Sequence, residues 1–281
     1  MGGGRRAWKN QKTRIAIAYD FDGTLARGSL PEHGLLQDLG IESASFWNEV
    51  KERAETQDAD EILAYMCLLL EKAKERGIEI TESRLGSYAA NIPFFEGVVE
   101  WFGRINKYAA ELGVGIDHFV ISSGLREIIA ASAIAPCFKF VFASKYLYDE
   151  RGMASYPAVS INYTTKTQYL FRINKGIFNF FDNKRINTWI RLDRRPYPFK
   201  RMIYIGDGDT DIPAMKMTRY QGGYSIAVFD PLKWDDLSQQ AKIYKLIAED
   251  RVQYVAPAVY SEGSLLDIAV KGIIGKIANE P

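Results

Sequence analysis

The 281-residue sequence predicts an α/β protein built on a doubly wound, mainly parallel sheet. Three observations lead there: short apolar runs without a charge recur along the chain, each ends in small or acidic polar residues, and helix-like stretches separate them. Parallel strands buried on both faces read this way, because neither face alternates with solvent. In open sheets of this kind ligands bind beyond the carboxyl ends of the strands, so the polar ends are expected to converge on one site.

The first run is Ile15-Ala-Ile-Ala-Tyr19, which stops at Asp20-Phe-Asp-Gly-Thr24. His118 to Gly124, Lys139 to Ser144 and Arg201 to Asp209 repeat the layout. Helix-like patterns cover Leu125 to Ala133 and Gly176 to Ile190. Between Leu25 and Pro93 the strand pattern disappears. Asp60 to Arg76 instead carries Ile62, Tyr65, Met66, Leu69 and Ala73 at amphipathic-helix spacing, with Gly77 as its stop and Asp58 with Glu61 as a capping pair. Phe46 to Arg53 and Glu82 to Ala90 are expected to be further helices. Residues 28–92 are therefore read as a helical cap, and 12–27 with 93–281 as the core. Tyr146 to Ile173, rich in Tyr, Thr and Val around Glu150-Arg-Gly-Met153, suggests two or three antiparallel strands.

Composition narrows the function classes. With 47% hydrophobic and 25% charged residues the chain is globular rather than disordered. A net charge of +1, from 36 basic and 35 acidic side chains, offers no global field for nucleic acid but leaves room for a local anion site. Cys67 and Cys137 have no Cys or His at metal-ligand spacing; they are expected to be buried apolar fillers in a reducing, cytoplasmic setting. The segment Met1 to Lys9 is polar and glycine-rich, without the apolar stretch of a secretion signal. No apolar run approaches the roughly 18 to 20 residues of a membrane span.

The chemistry concentrates in two acidic groups. Asp20 and Asp22, two apart at a strand end, suit divided labour between a nucleophile and a proton donor and acceptor. Gly23 permits a sharp turn, and Thr24 is expected to hydrogen-bond across it. Downstream, Asp207, Asp209 and Asp211 crowd another strand end, where carboxylates repel unless a cation neutralises them; hard oxygen ligands favour Mg²⁺. A calcium loop is disfavoured, because its closing glutamate would fall at position 218, which is Thr218.

On these motifs the chain resembles the haloacid dehalogenase superfamily of aspartate-nucleophile hydrolases. Asp20-Phe-Asp-Gly-Thr-Leu25 matches the DxDGT motif, Phe119-Val-Ile-Ser-Ser-Gly124 the second motif, and Gly206-Asp-Gly-Asp-Thr-Asp211 the GDxxxD motif. The resemblance implies a Rossmann-like core whose cap is like that of the phosphoserine-phosphatase branch. It implies Mg²⁺-dependent hydrolysis of a small phosphorylated metabolite through an aspartyl-phosphate. Asp20 would be the nucleophile and Asp22 the acid and base. Ser122, Ser123 and Gly124 would bind phosphate, Asp20, Asp22 and Asp207 the metal, with Thr24 and Asp211 in support. The family's third motif is a lysine, for which Lys166 and Lys175 both offer themselves; Lys175 is preferred because it opens the helix-like stretch from Gly176.

A phosphomutase or phosphonatase could use the same core, although a phosphonatase would need a cap lysine such as Lys51, Lys72 or Lys74. A catalytically silent binding module is the rival from another class. His33 is read as a surface residue, His118 as structural, and the Arg191 to Arg201 cluster as a solvated loop. Substrate selection is expected to reside in the cap.

Overall fold

The computed structural model describes residues 13–280. The Met1 to Lys9 segment, residue 12 at the expected start of the core and residue 281 at its expected end lie outside that range. Chain order runs β1 (Arg14–Tyr19), α1 (Leu35–Asp38), α2 (Ser43–Gln57), α3 (Glu61–Glu75), α4 (Glu82–Ser87), α5 (Val98–Glu111), β2 (Gly115–Leu125), α6 (Arg126–Ala130) and β3 (Phe138–Tyr148). It continues through β4 (Ala154–Val159), α7 (Lys166–Lys175), α8 (Asn183–Asn187), β5 (Met202–Gly206), α9 (Ile212–Tyr220), β6 (Tyr224–Phe229), α10 (Leu237–Ala248), β7 (Tyr254–Pro257) and α11 (Leu265–Asn279).

The strands form one seven-stranded sheet in the order β4-β3-β2-β1-β5-β6-β7, parallel except for β4. The expected doubly wound α/β class is what the chain adopts. Strand β1 lies at the centre, and Ile15 through Tyr19 are completely buried, which is why that run carries no charge. From β1 the chain winds outward through β2 and β3, then returns to β5 on the other flank and proceeds to β6 and β7. The connections that follow β1 and β5 therefore lead to opposite flanks of the sheet, and at such a switch in winding direction a crevice opens beyond the strand ends. Two apolar layers sandwich the sheet. One includes Trp101, Phe102 and Ile105 of α5 with Val270 and Ile274 of α11. The other includes Leu170 and Ile173 of α7 with Ala214 and Met215 of α9.

Residues 28–92 contain α1 to α4. The predicted stripe of α3 is buried at Ile62, Tyr65, Met66, Leu69 and Ala73, packed with Phe46 and Val50 of α2. Truncating such a residue, Leu69→Ala for example, removes contacts worth about 2–5 kcal/mol. The α3 cap is Asp60, whose carboxylate accepts the Leu63 N–H at 2.9 Å; the expected Asp58 instead ends α2 in a left-handed conformation. This helical segment is fastened to the core. Asp60 also accepts from Ser160 Oγ and Asn162 Nδ2, Tyr146 Oη donates to the Met66 carbonyl, and Ala154 N–H donates to the Ile80 carbonyl.

Several expectations need correcting. The antiparallel reading of Tyr146 to Ile173 holds only to Val159, with the turn at Gly152; Lys166 onward is the helix α7. Gly176 is the left-handed C-cap of that helix rather than the start of another, and within 176–190 only Asn183–Asn187 is α-helical. Three aromatic and β-branched residues before Lys166 masked the helix start, whereas glycine at a C-cap is where the helix pattern ends. Cys67 and Cys137 are free but partly exposed, not buried fillers. His118 is a core residue, held between Tyr19 Oη at 3.0 Å and Asn106 Oδ1 at 3.1 Å. His33 contacts the Arg27 carbonyl at 2.6 Å through Nε2. Among the described residues, no helix is long and apolar enough to cross a membrane.

Candidate active site

Asp20 leaves β1 with its N–H bonded to the Ile205 carbonyl of β5 at 2.9 Å, so the two strand ends carrying the acidic motifs are stitched side by side. Carboxylate oxygens of Asp20, Asp207 and Asp211 all fall within 4.8 Å of one another. The turn after Asp20 allows this closeness through Gly23, which has φ +72°; a β-carbon there would lie 2.5 Å from Asp207 Cγ. Only a residue without a side chain fits both the conformation and the contact.

The cluster is balanced by a lysine that sequence reading ranked second. Lys166, in the first turn of α7, is completely buried, with Nζ 2.6 Å from Asp211 Oδ1 and 3.0 Å from Asp20 Oδ1. Burial works against its charge, but the two carboxylates outweigh that and raise its pKa. Lys175, the preferred candidate, is at the other end of the same helix. Its ammonium donates to the carbonyls of Ile186 and Thr188, at 2.9 Å for the latter, and steadies the loop there. The correction has a geometric cause: the two lysines are the first and last residues of a ten-residue helix, and only the N-terminal one reaches the carboxylates at the strand tips.

Asp211 is held at four points. Oδ1 accepts from Lys166 and from Tyr204 Oη at 2.6 Å, and Oδ2 accepts the N–H groups of Asp207 and Gly208 at 3.2 and 3.3 Å. Its lone pairs are largely committed, which makes it a support. Asp20 differs. Lys166 approaches Oδ1 off the line of a good hydrogen bond, and that oxygen has no hydrogen-bond partner. Burial and then the Asp211 charge hold the Asp20 carboxyl well above the ordinary carboxylate range, with Lys166 opposing them. Asp207 is pushed up to about 6, by burial first and Asp211 second.

Asp22 lines the same cavity as Asp20 and Asp207; its Oδ1 accepts the Leu30 N–H at 3.1 Å, and its carboxylate lies outside the group of three that fall within 4.8 Å of one another. Burial lifts its carboxyl to about 7 against the pull of that hydrogen bond. Ser122 is fully buried, and its Oγ accepts the Gly124 N–H at 2.9 Å, which leaves its own proton to give. Gly124 is close to Asp22: a β-carbon there would be 3.0 Å from Asp22 Oδ2. The Ser123 hydroxyl is buried without a partner, while its carbonyl accepts from Tyr65 Oη at 2.8 Å. The Thr24 hydroxyl makes no hydrogen bond across the turn, contrary to expectation; its carbonyl instead accepts from Tyr260 Oη at 2.8 Å.

Asp20, Asp22, Gly23, Ser122, Ser123 and Asp207 line one end of a cavity of about 580 Å³. Three carboxylates within 4.8 Å of one another, opposed by the single buried ammonium of Lys166, are a donor set suited to a hard divalent cation. Magnesium fits these residues. Among the described residues the cavity lining includes no lysine from 28–92; Lys51 and Lys72 pair with Glu55 and Glu49.

No protein-family model matches the chain. An uncharacterized protein of Borreliella burgdorferi is 29% identical over 276 residues, covering 90% of this chain and 93% of its own. Among solved structures, a HAD family hydrolase from Salmonella enterica serovar Typhi superposes with TM-score 0.58 at 13% identity, covering 93% of this chain and 71% of that one. A substrate-bound phosphoserine phosphatase does so at 0.57 and 13%, covering 92% and 98%. A cytosolic 5'-nucleotidase IIIB bound to cytidine does so at 0.53 and 15%, covering 94% and 86%. The chain thus has the fold of the haloacid dehalogenase hydrolases, phosphoserine phosphatases among them.

Proposed function

We propose that this protein is a magnesium-dependent phosphomonoesterase working through an aspartyl-phosphate on Asp20. The observation that carries the reading is the Asp20 carboxylate itself, buried at the tip of the central strand beside a buried lysine and two further carboxylates. The fold shared with phosphatases is in keeping with it.

Asp20 and Asp207 would hold the magnesium, which when bound supplies positive charge against the carboxylates and the phosphoryl oxygens. Asp211 keeps Lys166 and the loop from Asp207 in place. An oxygen of Asp20 attacks phosphorus while the bond to the leaving oxygen breaks, and Asp22 gives that oxygen its proton. A group held near pH 7 by burial suits both halves of this task. In the second half Asp22 takes a proton from water as the water oxygen attacks phosphorus, releasing Asp20 and inorganic phosphate. Lys166 and the Ser122 hydroxyl meet the charge that develops on the phosphoryl oxygens, as phosphoryl transfer requires.

The test is turnover of p-nitrophenyl phosphate with Mg²⁺ present, with chelator in excess, and with Asp20→Asn. Activity is expected in the first case and none in the others, because an amide cannot attack phosphorus. Full activity under chelation, or an Asp20→Asn protein that keeps more than a few per cent of turnover, would overturn the mechanism.

A further inference from the structure

The cavity extends well past the reaction centre, and its far wall is not the cap. Among the described residues, 28–92 contributes Gly28 to the lining, whereas Phe229, Lys233, Gln239 and Lys242 all come from the segment between the end of β6 and the middle of α10. The cap is also fastened to the β3–β4 hairpin through Met66 and Ile80 and to the loop after β4 through Asp60, so it is held beside the cavity without furnishing much of its surface. Selection of the leaving group must then fall largely to the core.

That wall carries both signs: Lys233 and Lys242 stand among Asp209, Asp230 and Asp236, of which Asp230 is met by Arg27 at 3.4 Å and Asp236 accepts the Ser238 N–H at 2.8 Å as the cap of α10. Lys242 is different. Its ammonium lies over the loop that carries Asp207, so close that a β-carbon on Gly208 would be 2.6 Å from Nζ. Its nearest carboxylate oxygen, Asp207 Oδ2, is 3.8 Å away, beyond hydrogen-bonding reach, and the side chain is two-thirds buried. A partly desolvated ammonium without a hydrogen bond, aimed at space next to the reaction centre, is a receptor for an anion. Lys233 adds a second cation to the same wall.

Resting on the phosphatase reading above, we infer that Lys242 selects phosphomonoesters whose leaving group carries a second anionic group, a carboxylate or a second phosphate. The phosphoryl group occupies the Asp20 end and the second anion meets Lys242, with the β6–α10 segment, not the cap, setting specificity. Lys242 is a substrate-binding residue and takes no part in bond making.

The experiment compares kcat/KM for glycerol phosphate, 3-phosphoglycerate and fructose 1,6-bisphosphate in the wild type, Lys242→Gln and Lys242→Arg, with p-nitrophenyl phosphate as a common reference and circular dichroism as the fold check. The wild type is expected to prefer at least one anionic substrate over glycerol phosphate by tenfold or more. Lys242→Gln should cut that ratio at least tenfold through KM, and Lys242→Arg should largely retain it. Which substrate shows the effect distinguishes carboxylate from phosphate. A wild type without the preference overturns the inference and needs no variant to do so. A ratio unchanged in Lys242→Gln, or an equal loss on all four substrates, overturns it as well, the latter by placing Lys242 at the reaction centre. Absence of p-nitrophenyl phosphate turnover in the wild type would instead remove the phosphatase reading itself.

Discussion

Replacing Lys166 by methionine removes one charge and leaves the volume nearly unchanged, so its effect isolates the ammonium. In the wild type that ammonium is completely buried, 2.6 Å from Asp211 and 3.0 Å from Asp20, and donates to Thr210 Oγ1 at 3.2 Å. Without it the two carboxylates face each other with no cation in a low-dielectric site. Removing one partner of a buried ion pair costs about 3–5 kcal/mol, and the low end applies here because the carboxylates can take up a proton in relief. A stability loss of about 3 kcal/mol at pH 7 is expected in urea or guanidinium unfolding. Turnover of p-nitrophenyl phosphate should fall at least about a hundredfold, equivalent to about 2.7 kcal/mol of transition-state stabilisation. Lys175→Met provides the contrast. Its two hydrogen bonds to loop carbonyls are partly solvated, so about 1 kcal/mol of stability and no more than about twofold in turnover are at stake. Wild-type turnover in Lys166→Met, or an equal loss in Lys175→Met, would refute the assignment of the buried lysine.

Two further outcomes can be checked independently. Gly23→Ala forces a side chain into a left-handed conformation and against Asp207, so stability should drop by about 1–2 kcal/mol and Mg²⁺-dependent turnover at least about tenfold; an unaffected variant would mean that the turn can open without cost to the site. His118 is held neutral by burial, its pKa lowered from 6.5 to about 3. Below pH 6.5 the unfolded chain binds a proton that the folded one refuses, so this contribution is complete above that pH and declines as pH falls. Between pH 7 and pH 5 the loss is about 2 kcal/mol, and His118→Gln should show a correspondingly flatter stability profile; identical profiles would contradict it.

The sequence by itself determined the sheet and the acidic half of the site. Uninterrupted apolar runs such as Ile15 to Tyr19 admit almost no alternative to a strand covered on both faces, and Asp20, Asp22, Asp207 and Asp211 follow such runs directly, so their placement is a local consequence of strand direction. The α3 stripe was legible for the same reason, because a 3.6-residue period is written into neighbouring positions. Only the tertiary structure decided which lysine completes the site. Lys166 and Lys175 are chemically identical side chains on one helix, and what separates them is the end of that helix that abuts β1 and β5, a fact about packing between distant segments. It likewise decided that the Leu30 N–H comes to Asp22 Oδ1, and that Lys242, more than thirty residues beyond Asp207 in the chain, stands over the loop that carries Asp207. Periodicity reports which face of an element is buried; it carries no record of what that face meets, because the partner is chosen by the three-dimensional winding of the sheet.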